Sequence, residues 1–280
     1  MLNRPLLALA LCAGLSLFAP APARADELWS RDLEGAFKQA RESGRLVLVE
    51  FYADFCGTCV QMDKTTLRDD SVKAAIAGFI AVRVPCDDTH PVAKRYRVSE
   101  LPTFIAFDAD RLIVGRTMGF KEPAELKSEL AKMTGAAPKL GKAHAKLKAA
   151  VEAAPGAASR QRLADFYVRR GNLLEACEVL RAQLLDDSVE LETRMKAAAA
   201  RARFELMMSR FEACDVAVRE GLSVSGEHTF SAMLIFLRGY SRETRKRESE
   251  AARDYLHVVR HFPGTKAAEH AIGRLRVLGV

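Results

Sequence analysis

The chain contains few cysteines and, after its first residues, no long apolar run. Six cysteines in 280 residues are too few for a fold held together by many disulfides. Beyond the N-terminal segment, no stretch reaches the 18 consecutive apolar residues typical of a membrane-spanning helix. Apolar residues make up 49% and charged residues 28% of the chain, which excludes a disordered or collagen-like protein. The length corresponds to about two globular domains.

The first 25 residues are typical of a secretory signal peptide. Arg4 supplies a positive charge, and an apolar run follows over residues 6–19. This run is too short to cross about 30 Å of hydrocarbon comfortably, and an A-x-A site ends at residue 25. We therefore predict cleavage before Asp26 and export to a Gram-negative periplasm, where disulfides persist. An uncleaved anchor is the alternative, and Cys12 is interpreted as an apolar residue of the leader.

Two regions of different composition follow the leader. Over residues 26–134, apolar strands alternate with helical segments, which predicts an α/β layer domain. Its clearest strand is the continuous apolar run at 46–52. Residues 135–141 contain Gly135 and Pro138 and are predicted to be a linker. Residues 142–280 contain only helical patterns. The other predicted helices are 33–43, 72–77, 92–96 and 123–133, and the other predicted strands are 79–84, 103–107 and 112–114.

The helical region contains an internal repeat. Similar segments surround Ala176, Ala213 and Ala251, at offsets of 37 and 38 residues. This pattern resembles the tetratricopeptide repeat, a helical hairpin of about 34 residues; an ordinary helical bundle is the alternative. Cys177 and Cys214 occupy equivalent positions in successive repeats. We predict that they are buried core residues, since stacked repeats separate such positions by more than the Cα distance of about 7 Å that a disulfide allows.

The strongest functional signal is the motif Cys56-Gly57-Thr58-Cys59, which directly follows the buried strand. A cysteine at a helix N-terminus is stabilised as a thiolate by unpaired N–H groups and the helix dipole. A thiolate is the nucleophile of thiol–disulfide exchange. We therefore predict that Cys56 is the exposed attacking thiol and Cys59 the buried resolving thiol. A zinc site is the alternative, but the sequence contains no second C-x-x-C pair.

Pro102 is the second element of the predicted site. It precedes the apolar strand 103–107, and an X-Pro bond at such a position can be cis. We expect this proline to face the cysteine motif and to shape a groove for a partner.

These motifs together resemble the thioredoxin-fold family over residues 45–126. The resemblance is greatest to the C-terminal periplasmic domain of the thiol:disulfide interchange protein DsbD. It is carried by the segments 50–59, 63–67 and 101–104. The resemblance implies a mixed sheet flanked by helices and reversible dithiol–disulfide exchange without an organic cofactor or a metal.

The sequence departs from the family pattern at several points. Phe55 replaces the usual tryptophan before the first cysteine, and Thr58 replaces the proline that follows Gly57 in thioredoxin. The inner dipeptide tunes the reduction potential, so the direction of exchange stays open. The membrane-spanning domain of DsbD has no counterpart in this sequence.

Three charged residues are candidates for supporting roles. Glu50 lies where the family keeps a buried acid, so we predict that it accepts a proton from Cys59. Asp63 matches a second acid of the DsbD-type domain and either tunes Cys56 or is a surface carboxylate. Arg83 either approaches Glu50 or is a solvated charge at the end of a strand.

Cys86 follows Pro85 and precedes Asp87. It is a third redox cysteine, a metal ligand with His90, or a passive loop residue; the passive interpretation is preferred.

The net charge of +7 comes mainly from the helical region. Its densest basic run contains Arg242, Arg245, Lys246 and Arg247. An acidic protein or an anionic membrane surface would suit such a run, whereas a solvated helix end needs no partner. Export makes nucleic acid an unexpected partner.

The sequence therefore predicts an exported thiol:disulfide oxidoreductase that acts on protein substrates. Its helical region would hold a protein partner in a groove, and a membrane protein of DsbD type would be the upstream electron donor. Two other hypotheses stay open. One is a chaperone or assembly adaptor with a passenger thioredoxin domain, and the other is a metal-handling protein that uses Cys56, Cys59 and Cys86.

Overall fold

A computed structural model describes residues 28–86 and 90–280. The predicted signal peptide, its cleavage site before Asp26, Cys12 and Asp87 lie outside these residues. Within them, no helix combines the length and the apolar composition that a membrane crossing requires.

The first half of the described chain is built on a mixed sheet of five strands in the order β1-β3-β2-β4-β5. The three strands β1, β3 and β2 run parallel, whereas β4 and β5 are antiparallel to their neighbours. This is the mixed sheet that the sequence resemblance implies. The strands are β1 (Trp29–Ser30), β2 (Val47–Tyr52), β3 (Ile80–Pro85), β4 (Thr103–Phe107) and β5 (Ile113–Met118).

Helices cover both faces of this sheet. All six residues of β2 are buried, as the continuous apolar run predicted, because alternate side chains enter two separate cores. Val49 and Phe51 pack with the helices at 33–43 and 91–95, whereas Leu48 packs with Met62 and with the helices that begin at Asp70 and Pro123. The helices around the sheet are α1 (Leu33–Ser43), α2 (Gly57–Lys64), α3 (Asp70–Ala77), α4 (Pro91–Arg95) and the start of α5 (Pro123–Ala153).

The second half of the chain is entirely helical, as predicted. Each helix contacts the next one along the chain. The three similar sequence segments lie near the beginning of alternate helices, which start at Leu173, Phe211 and Glu248. Cys177 and Cys214 are buried and form no disulfide, in agreement with their predicted place in the core. The helices are α6 (Ala157–Arg170), α7 (Leu173–Leu184), α8 (Leu191–Met207), α9 (Phe211–Val224), α10 (Thr229–Thr244), α11 (Glu248–His261) and α12 (Lys266–Val277).

The segment 135–141 is helical, which differs from the predicted linker. Helix α5 continues through Pro138 to Ala153, 20 residues beyond the predicted end at 133. Packing at both ends explains this difference. Leu126 and Leu130 contact the sheet, and Leu147 packs against the first helices of the second half. Tertiary contacts thus offset the cost of an interior proline.

Polar contacts attach the helical region to the edge strand β5. The buried side chain of Asn172 accepts a hydrogen bond from the Ile113 N–H at 2.9 Å and donates one to the Arg111 carbonyl at 2.9 Å. Arg170 donates to the Ile113 carbonyl at 2.8 Å. Leu112 enters an apolar cluster with side chains of α6 and α7. The free edge of β5 is therefore covered by the helices.

Candidate redox site

The two motif cysteines form a disulfide at the beginning of α2. Their Cα atoms lie 5.2 Å apart. Cys59 is buried, with 1% of its surface exposed, whereas Cys56 is half-buried and borders Gly57 and Thr58, which are exposed. The structure therefore places the two sulfurs in the order of accessibility that the sequence predicted.

Cys56 is the N-cap residue of α2. Its Sγ accepts a hydrogen bond from the Cys59 N–H at 3.2 Å. The first N–H groups of a helix lack partners within the helix and carry the positive end of its dipole. These groups would stabilise a thiolate at Cys56 once the disulfide is reduced.

The loop that contains Pro102 lies directly beside the motif. The Leu101–Pro102 peptide bond is cis, and the Leu101 carbonyl oxygen lies 3.6 Å from Cys56 Sγ. Thr58 Oγ1 lies 3.1 Å from the Leu101 carbonyl oxygen and 3.1 Å from Cys56 Sγ. The expected juxtaposition of the proline and the cysteines is thus present.

Cys56 follows an exposed aromatic residue, which borders a groove of mixed polarity that includes Lys94 and Glu100. The Phe55 side chain is 80% exposed, the highest value among the large apolar residues that the structure describes. A groove of about 310 Å³ begins beside it and is lined by Val98, Leu101 and Cys86. Cys56 is therefore next to an exposed aromatic side chain and close to a groove on the surface.

Glu50 is fully buried on β2, the strand that leads into the cysteine motif. In the sheet it lies opposite Arg83 of β3, whose Nε is 2.7 Å from Glu50 Oε2. Burial raises the pKa of Glu50 to about 7, although the positive charge of Arg83 lowers it. A carboxyl group with this pKa can both accept and return a proton near neutral pH.

Arg83 joins the two acids of the site. Its Nη2 donates to Asp63 Oδ1 at 2.7 Å and to Glu50 Oε1 at 3.3 Å. Asp63 is partly exposed. The arrangement agrees with the interpretation of Arg83 as a neighbour of Glu50, and it brings all three predicted charged residues together.

Two aromatic residues beside Arg83 were missed by the sequence analysis. The guanidinium carbon lies 4.3 Å from the ring centre of Tyr52 and 5.7 Å from that of Trp29, within the range of cation–π contacts. Tyr52 was detectable, because it follows Glu50 by two residues and strand alternation places both on one face. Trp29 lies in a strand of two residues, which has no readable pattern.

Cys86 is buried against the apolar core on the α1 side of the sheet. Its S–H group donates a hydrogen bond to the Val84 carbonyl oxygen at 3.5 Å. Across residues 28–86 and 90–280, no three histidine, cysteine or acidic side chains come together as ligands for a metal ion.

The basic run of the helical region is largely ion-paired within the chain. Arg242, Arg245 and Arg247 each contact acidic side chains, so their charges are partly neutralised. These ion pairs favour the interpretation of the basic run as an ordinary helix end over its interpretation as a docking surface for anions. The shortest pairs join Arg242 to Asp254 at 2.7 Å, Arg245 to Asp215 at 2.6 Å and Arg247 to Glu250 at 2.6 Å.

Comparisons with known proteins agree with the fold of the first half. A family model described as thioredoxin-like matches residues 28–109. The thiol:disulfide interchange protein DsbD of Ralstonia nicotianae is 31% identical over 111 residues, which are 38% of this chain and 18% of that protein. Thioredoxin H4 of Arabidopsis thaliana is 26% identical over 39% of this chain and 86% of its own length.

A solved thioredoxin from Thermus thermophilus is 30% identical, with a TM-score of 0.34, over 38% of this chain and 85% of its own. The part of this chain that matches the DsbD proteins spans less than a fifth of their length. Residues 28–109, which the family model matches, contain the cysteine motif, the Pro102 loop and the strands β1 to β4. The N-terminal part of this chain is a thioredoxin-like domain, followed by a long all-helical region.

Proposed function

We propose that this protein is a thiol:disulfide oxidoreductase that acts on protein substrates. The observation that carries the proposal is the Cys56–Cys59 disulfide at a helix N-terminus, beside the Pro102 loop. The exposed Phe55 side chain supports a polypeptide as the substrate. The similarity to DsbD and to thioredoxins supports the same chemistry.

In the proposed reaction, two thiolate attacks exchange one disulfide for another. The Cys56 thiolate attacks a substrate disulfide, a mixed disulfide forms, and one substrate sulfur leaves as a thiolate. Cys59 then loses its proton and attacks Cys56 Sγ, which releases the second substrate thiolate and closes the Cys56–Cys59 bond. The substrate gains two electrons and the enzyme loses them; the reverse sequence oxidises a substrate dithiol. No organic cofactor takes part.

Glu50 is the proposed proton acceptor for Cys59. The Cys59 thiol is buried and does not release its proton directly to bulk water, so an internal base would assist the second attack. The raised pKa of Glu50 suits this role. Arg83 would hold the carboxylate in place, and Asp63 would hold Arg83 through their contact at 2.7 Å.

The proposed setting is the periplasm, after removal of residues 1–25. A redox-active disulfide is suited to an oxidising compartment. A membrane protein of DsbD type would supply electrons if the enzyme works as a reductase. The helical region would select or hold a protein partner, since hairpin arrays of this kind present grooves for binding.

A turnover assay tests this function. The full chain should accelerate reduction of a disulfide-bonded protein such as insulin by dithiothreitol, and Cys56→Ser should abolish the acceleration. Cys59→Ser should accumulate a mixed disulfide with the substrate, because resolution is blocked. Cys214→Ala is the matched control, since this buried cysteine lies in the helical region. Equal rates for Cys56→Ser and the unmodified chain would favour an adaptor with a passenger domain.

A further inference from the structure

The Thr58 hydroxyl group lies between two acceptors of the redox site. Its oxygen is 3.1 Å from the Leu101 carbonyl oxygen and 3.1 Å from Cys56 Sγ. These two acceptors are themselves 3.6 Å apart. The three atoms form a small triangle, in which rotation about one side-chain bond redirects the hydroxyl proton from one acceptor to the other.

A hydroxyl group has a single proton, so it can donate fully to only one of these acceptors at a time. In the disulfide form, Cys56 Sγ carries neither a proton nor a negative charge, and it is a weak acceptor. The carbonyl oxygen is the better acceptor, so the hydroxyl donates to Leu101. The loop that precedes Pro102 is then bound to α2 through Thr58.

Reduction reverses this preference. A dithiol reductant supplies two electrons and two protons, the Cys56–Cys59 bond breaks, and Cys56 then releases its proton to solvent. Hydrogen bonds to a charged acceptor are about twice as strong as those between neutral groups. In the disulfide form, Cys56 Sγ already accepts a hydrogen bond from the Cys59 N–H at the helix N-terminus. In the thiolate, the hydroxyl would be a second donor.

We propose that Thr58 is a positioning residue whose hydroxyl moves from the Leu101 carbonyl to the Cys56 sulfur when the disulfide is reduced. The inference rests on the proposed function, because it concerns the same two cysteines. It assigns to Thr58 two effects: stabilisation of the attacking thiolate and release of the Leu101 carbonyl in the reduced state. A proline at this position would have no proton to donate.

Thr58→Val tests the thiolate effect, because valine has nearly the same shape and no hydroxyl. The measurement is the pH dependence of iodoacetamide alkylation of Cys56 in the reduced full chain, followed by mass spectrometry of the Cys56 peptide. We expect the midpoint to rise by about one pH unit, the value of one hydrogen bond to a charged group. Thr58→Ser should restore the original midpoint. Thr134→Val is the control, because its hydroxyl contacts only the Leu130 carbonyl of its own helix at 3.1 Å.

The movement of the hydroxyl has its own spectroscopic signature. Leu101–Pro102 is the only Leu–Pro pair in the 280-residue sequence. Labelling with carbonyl-¹³C leucine and ¹⁵N proline therefore gives a single coupled carbonyl–nitrogen signal from this bond. We expect the Leu101 carbon signal of the unmodified chain and of Thr58→Ser to move on reduction. In Thr58→Val it should already be displaced in the oxidised form and should move much less.

An unchanged alkylation midpoint in Thr58→Val would overturn the proposal, even if the carbonyl signal moves. A midpoint that rises equally in Thr58→Ser and Thr58→Val would also overturn it, since the effect would then come from packing. Neither result depends on substrate turnover. Failure of the proposed function would instead appear as a lack of insulin reduction with the alkylation results unaffected.

Discussion

Glu50 places a carboxyl group inside a sheet whose central strand is otherwise apolar or aromatic. Burial disfavours the charged form, and Arg83 only partly compensates, so the pKa of Glu50 rises to about 7. Because the fold disfavours the charged form of such an acid, stability falls as the pH rises from the ordinary pKa of the acid to its raised pKa. The proposed proton transfer from Cys59 would use this destabilised carboxylate as its acceptor.

Glu50→Gln should change how stability depends on pH. The folded protein holds the Glu50 proton up to about pH 7, whereas an unfolded chain loses it near pH 4.3. Between pH 5 and pH 8 the folded state therefore loses stability, by about 2 kcal/mol. Glutamine does not titrate, so the variant should lack this component. The measurement is the free energy of urea unfolding across this range.

The comparison between the two proteins isolates Glu50, because Arg83 keeps its charge throughout the range and all other groups are shared. Parallel pH profiles for Glu50→Gln and the unmodified chain would show that Glu50 titrates normally. Its role as an internal base for Cys59 would then lose its physical support.

The elements around the redox site were largely predictable from the sequence. The strand at Val47–Tyr52 is a continuous apolar run, and α1 ends where Gly44 adopts a positive φ of 70°. The cysteine motif indicates a helix N-terminus, because the N–H groups there stabilise the thiolate that disulfide exchange requires. The sequence pattern and the structure agree at these positions, because each residue type has a strong preference for the local conformation that it adopts.

The contacts between distant segments were less accessible to sequence analysis. Glu50 and Arg83 meet because they are partners in the register between β2 and β3, and a single sequence does not reveal which residues of two strands are paired. The length of α5 was also missed, because local preference and tertiary packing disagree at Pro138. Thr58 was noted only as part of the motif, since its two acceptors come from the motif and from a distant loop.

Helix α5 contains Pro138 in its interior on an exposed face. Proline lacks an N–H donor and crowds the preceding turn, which costs about 3 kcal/mol relative to alanine. Pro138→Ala should therefore stabilise the protein by about 1–3 kcal/mol. Urea unfolding measures this difference.

Gly135→Ala is the companion variant in the same helix. A Cβ atom at residue 135 would meet no atom within 4 Å, so the expected gain is about 1 kcal/mol from helix propensity alone. A loss of stability in both variants would mean that the segment 135–141 is not helical in solution and is the linker that the sequence predicts.

The two halves of the molecule are joined by one helix and by a small polar cluster. Asn172 occupies the turn before α7 and satisfies backbone groups of the segment that leads into β5. Leu112 and the side chains of α6 and α7 form a shared apolar core. We therefore expect the sheet and the helical region to unfold together.

Asn172→Ala tests this coupling. The substitution leaves a buried N–H group and a buried carbonyl without partners, each of which costs about 1–3 kcal/mol. Trp29 is the only tryptophan and lies in the sheet, so its fluorescence follows that half, whereas far-ultraviolet circular dichroism follows mainly the helices. The two thermal transitions should coincide in the unmodified chain and separate in the variant.

Asn172→Asp is a companion variant that retains the acceptor for the Ile113 N–H, loses the donors to the Arg111 carbonyl and to Glu175 Oε2, and places a buried carboxylate beside Glu175. It should separate the transitions at least as far as Asn172→Ala, because an unpaired buried charge costs more than a lost hydrogen bond. Coincident transitions in all three proteins, with unchanged midpoints, would show that the polar cluster does not couple the halves.

The central claim is that Cys56 and Cys59 form a reversible redox pair, and their reduction potential tests it most directly. The full chain would be equilibrated in glutathione or dithiothreitol buffers, and the fraction of disulfide would be measured by trapping free thiols and by mass spectrometry. We predict one two-electron transition between about −270 mV, typical of thioredoxin, and about −120 mV, typical of DsbA. The lower end would indicate a reductase and the upper end an oxidant. A pair that stays fully oxidised or fully reduced in all these buffers would contradict the account.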